Sequence, residues 1–398
     1  MVENFNYFRY PKEDNLEKSM LKNLRLRQLD FLRGIAIILV LIRHSHINRF
    51  LVNMGWIGVD LFFVLSGFLV SGLLFKEYKK HEKLNIKRFL IRRGFKIYPL
   101  FYITSIPYVF LKIFDNNFSI IHLLGDLFFL QNYVSNWGYL YAAGWSLAVE
   151  EHFYFGIAIV LFITSKSFWF KQSLKKKSCF FDAIVISILI TIALIFSIRL
   201  LSNLYLYSDT KNFTLTHLRI DSLLTGVLLS YLYNFKFEII KEFYLKNYRL
   251  LLTISFLCLI WTPFINPVSS FFVKTLGFSM LYLSFFIILL SFVIDSEINQ
   301  KLDSAFSSVV VSAISKIGIS SYSIYIIHSL TNTLARRIQS SYELYYHPYL
   351  YFLLTSIISI YSGFLLTKYL EGYFLNIRDK YFPRIVYAIN LSEKKKSK

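Results

Sequence analysis

Long apolar blocks separated by short polar segments run through most of the chain and predict an all-α polytopic membrane protein. Each block approaches the roughly 20 residues that cross a bilayer core at about 1.5 Å per residue, so about ten transmembrane helices are expected. The predicted spans are 29–49, 56–75, 95–114, 145–164, 180–201, 214–234, 249–265, 271–294, 317–335 and 348–370. The shorter block 120–133 predicts a re-entrant or interfacial piece rather than a full crossing.

Lysine-rich segments alternate with segments that carry few basic residues. Basic clusters follow the second, fourth and sixth predicted spans and occupy the C-terminal tail. The positive-inside rule places such clusters in the cytoplasm, so both termini are expected there. We therefore expect a cytoplasmic segment at 1–28, a transmembrane domain at 29–370 and a basic cytoplasmic tail at 371–398, without a second soluble domain.

The composition agrees with the membrane class. Hydrophobic residues make up 55% of the 398 residues and charged residues only 17%, whereas soluble domains average about 25% charged residues. The net charge of +20 lies in short segments between apolar blocks, which is typical of membrane orientation and argues against nucleic-acid binding. Cys179 and Cys258 have no metal-ligand spacing, so neither a metal site nor a disulfide framework is expected.

Ionisable side chains occur inside or at the ends of several predicted spans, where each costs about 2.5–3.5 kcal/mol near the helix centre and commonly marks a functional site. These residues are Asp30, Arg33, Arg43, His44, Asp60, Glu150, Glu151, His152, Arg219, Asp221 and His328. Arg33 and His44 are eleven residues apart, so they project from one helix face about 16 Å apart along the axis.

The predicted topology sorts these groups into two polar layers. Arg33 lies near the cytoplasmic end of the first span, at the level of Arg92, Arg93 and Lys96 in the third. This inner layer suits an anionic cytoplasmic ligand, because the planar guanidinium group binds two phosphate oxygens at once. The outer layer combines a histidine with carboxylates, which suits proton transfer. Its members are His44, Asp60, Glu150 and Glu151.

Structural interpretations of the same residues remain open. The basic cluster of the third span also fits side chains that anchor a helix at the interface. The carboxylates also fit ion pairs with Arg219 that hold helices together. His328 fits a hydrogen bond to a neighbouring helix as well as it fits chemistry, and Arg43 fits an interfacial anchor.

Four sequence blocks occur in order along the chain: LDFLRGIA at 29–36, GVDLFFVLSGFL at 58–69, FLIRRGFKIYP at 89–99 and WSLAVEEHFY at 145–154. Together they resemble acyltransferase family 3, the membrane O-acyltransferases that modify bacterial surface sugars. The resemblance implies an Arg-x10-His pair, matched by Arg33 and His44, and an Arg-x-x-Arg pair, matched by Arg93 and Lys96. Lys96 keeps the positive charge of an arginine but lacks the planar guanidinium group that binds two oxygens at once. His152 stands where the family often has glutamine.

The resemblance implies a multi-pass protein of the bacterial cytoplasmic (inner) membrane, surrounded by membrane lipid. It implies transfer of an acyl group, acetyl first, from cytoplasmic acetyl-CoA or another acyl-CoA to a hydroxyl of an extracytoplasmic glycan or lipid-linked glycan. A surface polysaccharide such as O-antigen is the first acceptor expected; peptidoglycan, a membrane lipid and a small metabolite remain open. Many relatives carry a further extracytoplasmic domain, whereas this chain is expected to be a stand-alone membrane module. The expected site has catalytic residues His44, Glu150, Glu151 and Asp60, and donor-binding residues Arg33, Arg92, Arg93 and Lys96.

Two other classes of protein compete with this expectation. A proton-coupled transporter or flippase also places histidine, arginine and carboxylates inside the membrane. The chain shows no internal repeat and no pair of helices broken by glycine or proline at matching positions, and both features are typical of transporters. A purely structural scaffold would leave the inner and outer sorting of charge unexplained.

Overall fold

The computed structural model describes residues 26–45, 47–167, 172, 181–343 and 347–383. Throughout these ranges the regular structure is helical. The helices are α1 (Arg27–Arg43), α2 (Arg49–Gly55), α3 (Ile57–His81), α4 (Ile86–Phe114), α5 (Ile120–Leu127), α6 (Gln131–Val134), α7 (Gly144–Thr164), α8 (Ala183–Tyr205), α9 (Lys211–Thr214), α10 (Ile220–Phe235), α11 (Phe237–Leu259), α12 (Phe278–Ile294), α13 (Ile298–Phe306), α14 (Ser308–Ile319), α15 (Ser321–Ser341), α16 (Pro348–Leu365) and α17 (Gly372–Tyr381).

Three shorter helical pieces complete the fold, namely a 3₁₀ turn at Thr216–Leu218 and π-helical segments at Val273–Gly277 and Leu366–Glu371. The second π segment joins α16 to α17, so this helix runs past the expected start of the tail at 371. The expected segment 1–28 and the end of the tail fall largely outside the described residues, as does Cys179.

Within the described ranges, six helical stretches are long and apolar enough to cross a membrane. They are Arg49–His81, Ile86–Phe114, Gly144–Thr164, Ala183–Tyr205, Val273–Ile294 and Pro348–Tyr381. Two pairs of helices joined by a sharp bend raise the number to eight if each pair counts as one span. The expected first and ninth spans correspond to α1 and α15, which are not among these stretches. Helix α1 has only 17 residues, and α15 carries Arg336 and Arg337. The described residues therefore contain six to eight such spans, as a multi-pass helical membrane protein requires, and the expected count of ten stays a prediction.

The largest departure from the expected spans lies between α10 and α11. The sequence predicts a basic loop at 236–246 between spans 214–234 and 249–265, but α11 already begins at Phe237 and is bent by 110° from α10. Lys236 sits at the corner with its ammonium 3.0 Å from the carboxylate of Asp182, and both side chains are buried. Because the carboxylate balances the charge of the lysine, Lys236 can be buried at the bend, and the chain turns there without an exposed loop.

The segment expected to be re-entrant contains only the short helices α5 and α6, of 8 and 4 residues. Neither is long enough to cross a bilayer. Between them, the ring of Phe129 packs 4.6 Å from that of Phe101 and 5.7 Å from that of Tyr98, near the middle of α4. The segment therefore reaches the centre of a neighbouring long helix before it turns back.

The centre of the fold is a close contact between α3 and α10. A side chain at Gly67 would place its Cβ 2.0 Å from the carbonyl oxygen of Leu223, and one at Gly226 would lie 2.2 Å from that of Val64. The missing side chains let the two backbones touch, as small residues do in membrane helix pairs. Val64 and Leu223 are fully buried at this contact. The contact thus fixes the register between α10 and α3, which is one of the helices that line the cavity described below.

Candidate active site

An internal cavity of about 120 Å³ opens among α1, α3, α4, α7 and α15. Five of the eight site residues expected from the sequence line it: Arg33, Arg93, Lys96, Glu150 and Glu151. They come from three helices, because Arg33 lies on α1, the arginine and lysine on α4, and the glutamates on α7. The remaining polar lining consists of hydroxyl groups, from Ser66, Ser146, Tyr154, Ser321, Tyr322 and Tyr325.

The two glutamates of α7 are held by hydroxyl donors. Ser66 donates to one carboxylate oxygen of Glu150 over 2.9 Å, and Tyr154 donates to the other over 2.7 Å. Tyr98 donates to Oε2 of Glu151 over 2.9 Å. Oε1 of Glu151 is buried and has no hydrogen-bond partner in the described ranges. A buried acceptor without a donor costs free energy, so this oxygen is suited to accept an N–H or O–H from a bound ligand.

The cations of the cavity have different neighbours. The Arg93 guanidinium lies over the ring of Tyr154, 5.3 Å from its centroid. Lys96 forms an ion pair with Glu371 of the second π segment. Arg33 is 3.5 Å from the carboxylate of Asp30, one turn away on α1. The cavity lining therefore includes cationic donor groups from two helices, as an anion site requires.

Arg92 faces away from the cavity. Its guanidinium lies 2.9 Å from the carboxylate of Asp379 on α17 and also donates to the carbonyl of Phe382. The residue therefore ties α4 to the last described helix instead of joining the cations of the cavity.

His44 caps the end of α1 outside the cavity lining, next to His328 of α15. Its Nδ1 is 3.0 Å from the carbonyl oxygen of Val40. The two imidazole ring centres are 4.9 Å apart. Tyr325 lines the cavity, and its ring centre is 5.5 Å from that of His328. The histidine pair therefore lies just beyond one wall of the cavity.

Asp60 lies elsewhere, in a buried network of charges. Its carboxylate is 2.5 Å from the guanidinium of Arg219, and both side chains are at most 1% exposed. A second pair, Arg199 with Asp221, also has a separation of 2.5 Å and equal burial. The four groups balance in charge and join α3, α8 and α10. This arrangement matches the helix-pairing interpretation of the intramembrane carboxylates.

The network extends to the start of α9. Lys274 is buried, and its ammonium lies 2.8 Å from the carboxylate of Asp209 and 2.9 Å from the hydroxyl of Tyr207. In this connection between α8 and α9, the hydrogen bonds from Lys274 and Tyr207 lower the pKa of Asp209 below its ordinary value. The short helix α9 is thereby fastened to the π segment that precedes α12.

Several residues of the site were absent from the sequence-based set. Arg199 and Lys274 lie within predicted apolar spans and carry the same signal as the ionisable residues identified above. Glu371 lies in the predicted tail, so the sequence gives no reason to pair it with Lys96. The hydroxyl groups around the glutamates have no sequence signal, since serine and tyrosine are common throughout the chain.

A family model described as "Acyltransferase domain" matches residues 26–368. The chain belongs to this acyltransferase family. The resemblance deduced from the four sequence blocks is thereby confirmed, and the match extends over every helix that lines the cavity. No solved structure matches the chain.

Among curated acyltransferase relatives, the peptidoglycan O-acetyltransferase OatA of Listeria monocytogenes is 35% identical over 141 residues, which are 32% of this chain and 22% of that protein. A putative O-acetyltransferase of Staphylococcus aureus strain COL is 30% identical over 237 residues, 55% of this chain and 37% of that protein. The O-acetyltransferase OatA of S. aureus strain NCTC 8325 is 30% identical over 224 residues, 52% and 34% respectively. The matches therefore span about a fifth to a third of the relatives' own length.

Proposed function

We propose that this acyltransferase is an O-acetyltransferase of the bacterial cytoplasmic membrane. It would move an acetyl group from cytoplasmic acetyl-CoA to a hydroxyl group of an extracytoplasmic glycan. The observation that carries the proposal is a cavity lined by Arg33, Arg93 and Lys96, with His44 of the same helix as Arg33 just beyond its wall. A thioester donor with a phosphate-rich end requires anion-binding groups and, some distance away, a base; Arg33 and His44 are about 16 Å apart along one helix.

The donor would place its phosphate groups against Arg33 and Arg93, whose forks bind phosphate oxygens in pairs. A phosphate near Lys96 would compete with Glu371 for the ammonium group. The free oxygen of Glu151 would accept a hydrogen bond from an amide or hydroxyl group of the ligand. Because Arg92 faces Asp379 outside the cavity, we assign it no direct contact with the donor.

His44 would serve as the general base. The Val40 carbonyl can only accept, so the Nδ1 of His44 carries its proton and Nε2 has the free lone pair. Nε2 would take the proton of the acceptor hydroxyl as the oxygen attacks the thioester carbonyl carbon. The carbon–sulfur bond then breaks, and the thiolate of CoA takes the proton from His44. Atoms and charge balance without a metal or a redox partner.

The acceptor is assigned as a glycan of the cell envelope. Peptidoglycan is the first candidate, because the Listeria relative is a peptidoglycan O-acetyltransferase. A surface polysaccharide such as O-antigen is the second candidate, because the sequence blocks at 29–36 and 58–69 resemble enzymes that modify surface sugars.

The test uses the purified full chain in proteoliposomes, supplied with acetyl-CoA and, in parallel, with peptidoglycan fragments or an O-polysaccharide. Mass spectrometry follows the gain of an acetyl group on each glycan. We expect His44→Ala to lower turnover by at least about 10²-fold, the lower range for loss of a general base. The matched control is His347→Ala, at an exposed histidine before α16.

Equal turnover in a folded His44→Ala protein would contradict the role of this residue. The absence of acetyl-CoA-dependent transfer to either glycan by the unmodified protein would contradict the proposed enzyme. Movement of a glycan precursor across the vesicle membrane without acetylation would identify a transporter instead.

A further inference from the structure

The second histidine beside His44 has no function in the scheme above, although it is the more deeply buried of the two. His328 lies eight residues into α15 and is fully buried. Its ring centre is 4.9 Å from that of His44 and tilted by 53°. A buried imidazole costs free energy unless its ring nitrogens are hydrogen-bonded, so the bonds of both rings indicate what the pair can do.

Both rings are fixed in the same tautomer by backbone carbonyl groups. Nδ1 of His44 contacts the carbonyl of Val40, and Nδ1 of His328 contacts the carbonyl of Tyr325. A carbonyl oxygen only accepts, so each Nδ1 carries a proton and each Nε2 retains a lone pair. The neighbour of the His328 Nε2 is the hydroxyl of Ser329, at 3.3 Å.

The surroundings of the pair offer cations and hydroxyl groups. Arg43 of α1 and Arg336 of α15 both act electrostatically on His44, and Tyr325 lies beside the ring of His328. No carboxylate in the described ranges forms an ion pair or hydrogen bond with either ring. Glu150 and Glu151, the catalytic glutamates expected from the sequence, accept hydrogen bonds from the hydroxyl groups of Tyr154 and Tyr98.

A base that takes a proton in a buried site needs a partner that stabilises its cation, and a carboxylate is the common one. Here the available partner is the second imidazole. Two neutral imidazoles whose Nε2 atoms both lack a proton cannot donate to each other, whereas one added proton lets one Nε2 donate to the other. Ring centres 4.9 Å apart leave room for such a bond, because the nitrogens lie on the rims of the rings.

We propose that His44 and His328 act together as a two-histidine base that holds the proton of the acceptor hydroxyl between their Nε2 atoms. The inference rests on the proposed acyl transfer and adds a positioning residue to it. The proton leaves the acceptor oxygen as that oxygen bonds to the acyl carbon. The histidine pair then gives this proton to the thiolate of CoA when the carbon–sulfur bond breaks. His328 does not touch the reacting atoms; it stabilises the protonated His44.

The test compares two variants with different geometry. His328→Asn keeps an amide near the position of Nδ1, so the bond to Tyr325 can persist, but it removes Nε2. His328→Gln places an amide near Nε2 that donates or accepts but takes up no proton. Both are expected to lower kcat by about 10²-fold with little change in KM for acetyl-CoA. The acid limb of the kcat/KM profile is expected to move to lower pH, because the proton is no longer shared.

The matched control is Thr331→Val, at a buried residue of the same helix whose hydroxyl bonds the carbonyl of Ile327. It disturbs α15 one turn from His328 and removes a hydroxyl that bonds Ile327 rather than either imidazole, so its pH profile should match that of the unmodified protein. Size-exclusion chromatography and acetyl-CoA binding establish that each variant is folded. A folded His328 variant with normal kcat and an unchanged pH profile would overturn the inference, while activity of the unmodified protein keeps the proposed function intact.

A measurement on the unmodified protein covers the case in which both variants fail to fold. Two neighbouring imidazole lone pairs form a partial site for Zn²⁺. We expect Zn²⁺ to inhibit acyl transfer and to do so more strongly as pH rises, because protons compete for the same nitrogens. Activity that is insensitive to Zn²⁺ across this range would contradict the two-histidine base.

Discussion

Removal of one charge from the buried pair of Asp60 and Arg219 separates the structural role of Asp60 from the catalytic role expected from the sequence. The two groups are 2.5 Å apart and at most 1% exposed. Asp60→Asn keeps an amide oxygen that can accept from Arg219, as the Phe213 carbonyl 3.1 Å away also does, but it removes the negative charge. The network of four charges, which also includes Arg199 and Asp221, then carries one unbalanced positive charge.

Breaking a buried ion pair by removing one partner typically costs about 3–5 kcal/mol, whereas replacing both partners with apolar residues of similar volume is often neutral. We therefore expect Asp60→Asn to lower the free energy of unfolding by about 3–5 kcal/mol. The double variant Asp60→Leu, Arg219→Met should recover most of that loss. Denaturant unfolding in detergent micelles, followed by tryptophan fluorescence, measures both changes.

Activity then decides the role of Asp60. If the carboxylate only pairs α3 with the start of α10, the double variant should be both stable and active. If Asp60 takes part in the chemistry, the double variant should be stable but inactive. A single Asp60→Asn variant as stable as the unmodified protein would refute the reasoning from burial.

Two further predictions concern donor binding and helix packing. Arg33→Ala and Arg93→Ala should each weaken acetyl-CoA binding about tenfold or more in isothermal titration, because a hydrogen bond to a charged group contributes about 1.5–3 kcal/mol; unchanged affinity would contradict the anion site. Gly67→Ala should lower the free energy of unfolding by about 1–3 kcal/mol, since its Cβ would lie 2.0 Å from the carbonyl of Leu223. Gly156→Ala is its control, because no atom lies within 4 Å of the added Cβ, and equal effects of the two substitutions would contradict the close contact.

Much of the helical plan follows from the sequence, and the exceptions have local causes. The blocks behind α3, α4, α7 and α8 are apolar and long enough that the bilayer alone requires a helix there. The sequence predicts a loop at Lys236, because a lysine at the end of an apolar block is normally exposed to water. Its buried partner Asp182 is more than 50 residues earlier in the chain, so the sequence around Lys236 does not indicate this ion pair.

The features of the site also divide into those that the sequence predicts and those that only the structure shows. Arg33 and His44 lie on one helix, so the rise and period of the α-helix determine their spacing and shared face before any packing is known. Arg93 and Lys96, like Glu150 and Glu151, are also neighbours within one helix. The sequence alone therefore determined the class of protein, the family blocks and the five charged residues that line the cavity.

Only the tertiary structure decided which side chains meet across helices. His44 meets His328 rather than a carboxylate, Asp60 meets Arg219, and Lys96 meets Glu371. The apolar faces of these helices are too much alike to specify a register by pattern. The register comes instead from close backbone contacts such as Gly67 against Leu223, where the absence of a side chain determines which turns of two helices touch.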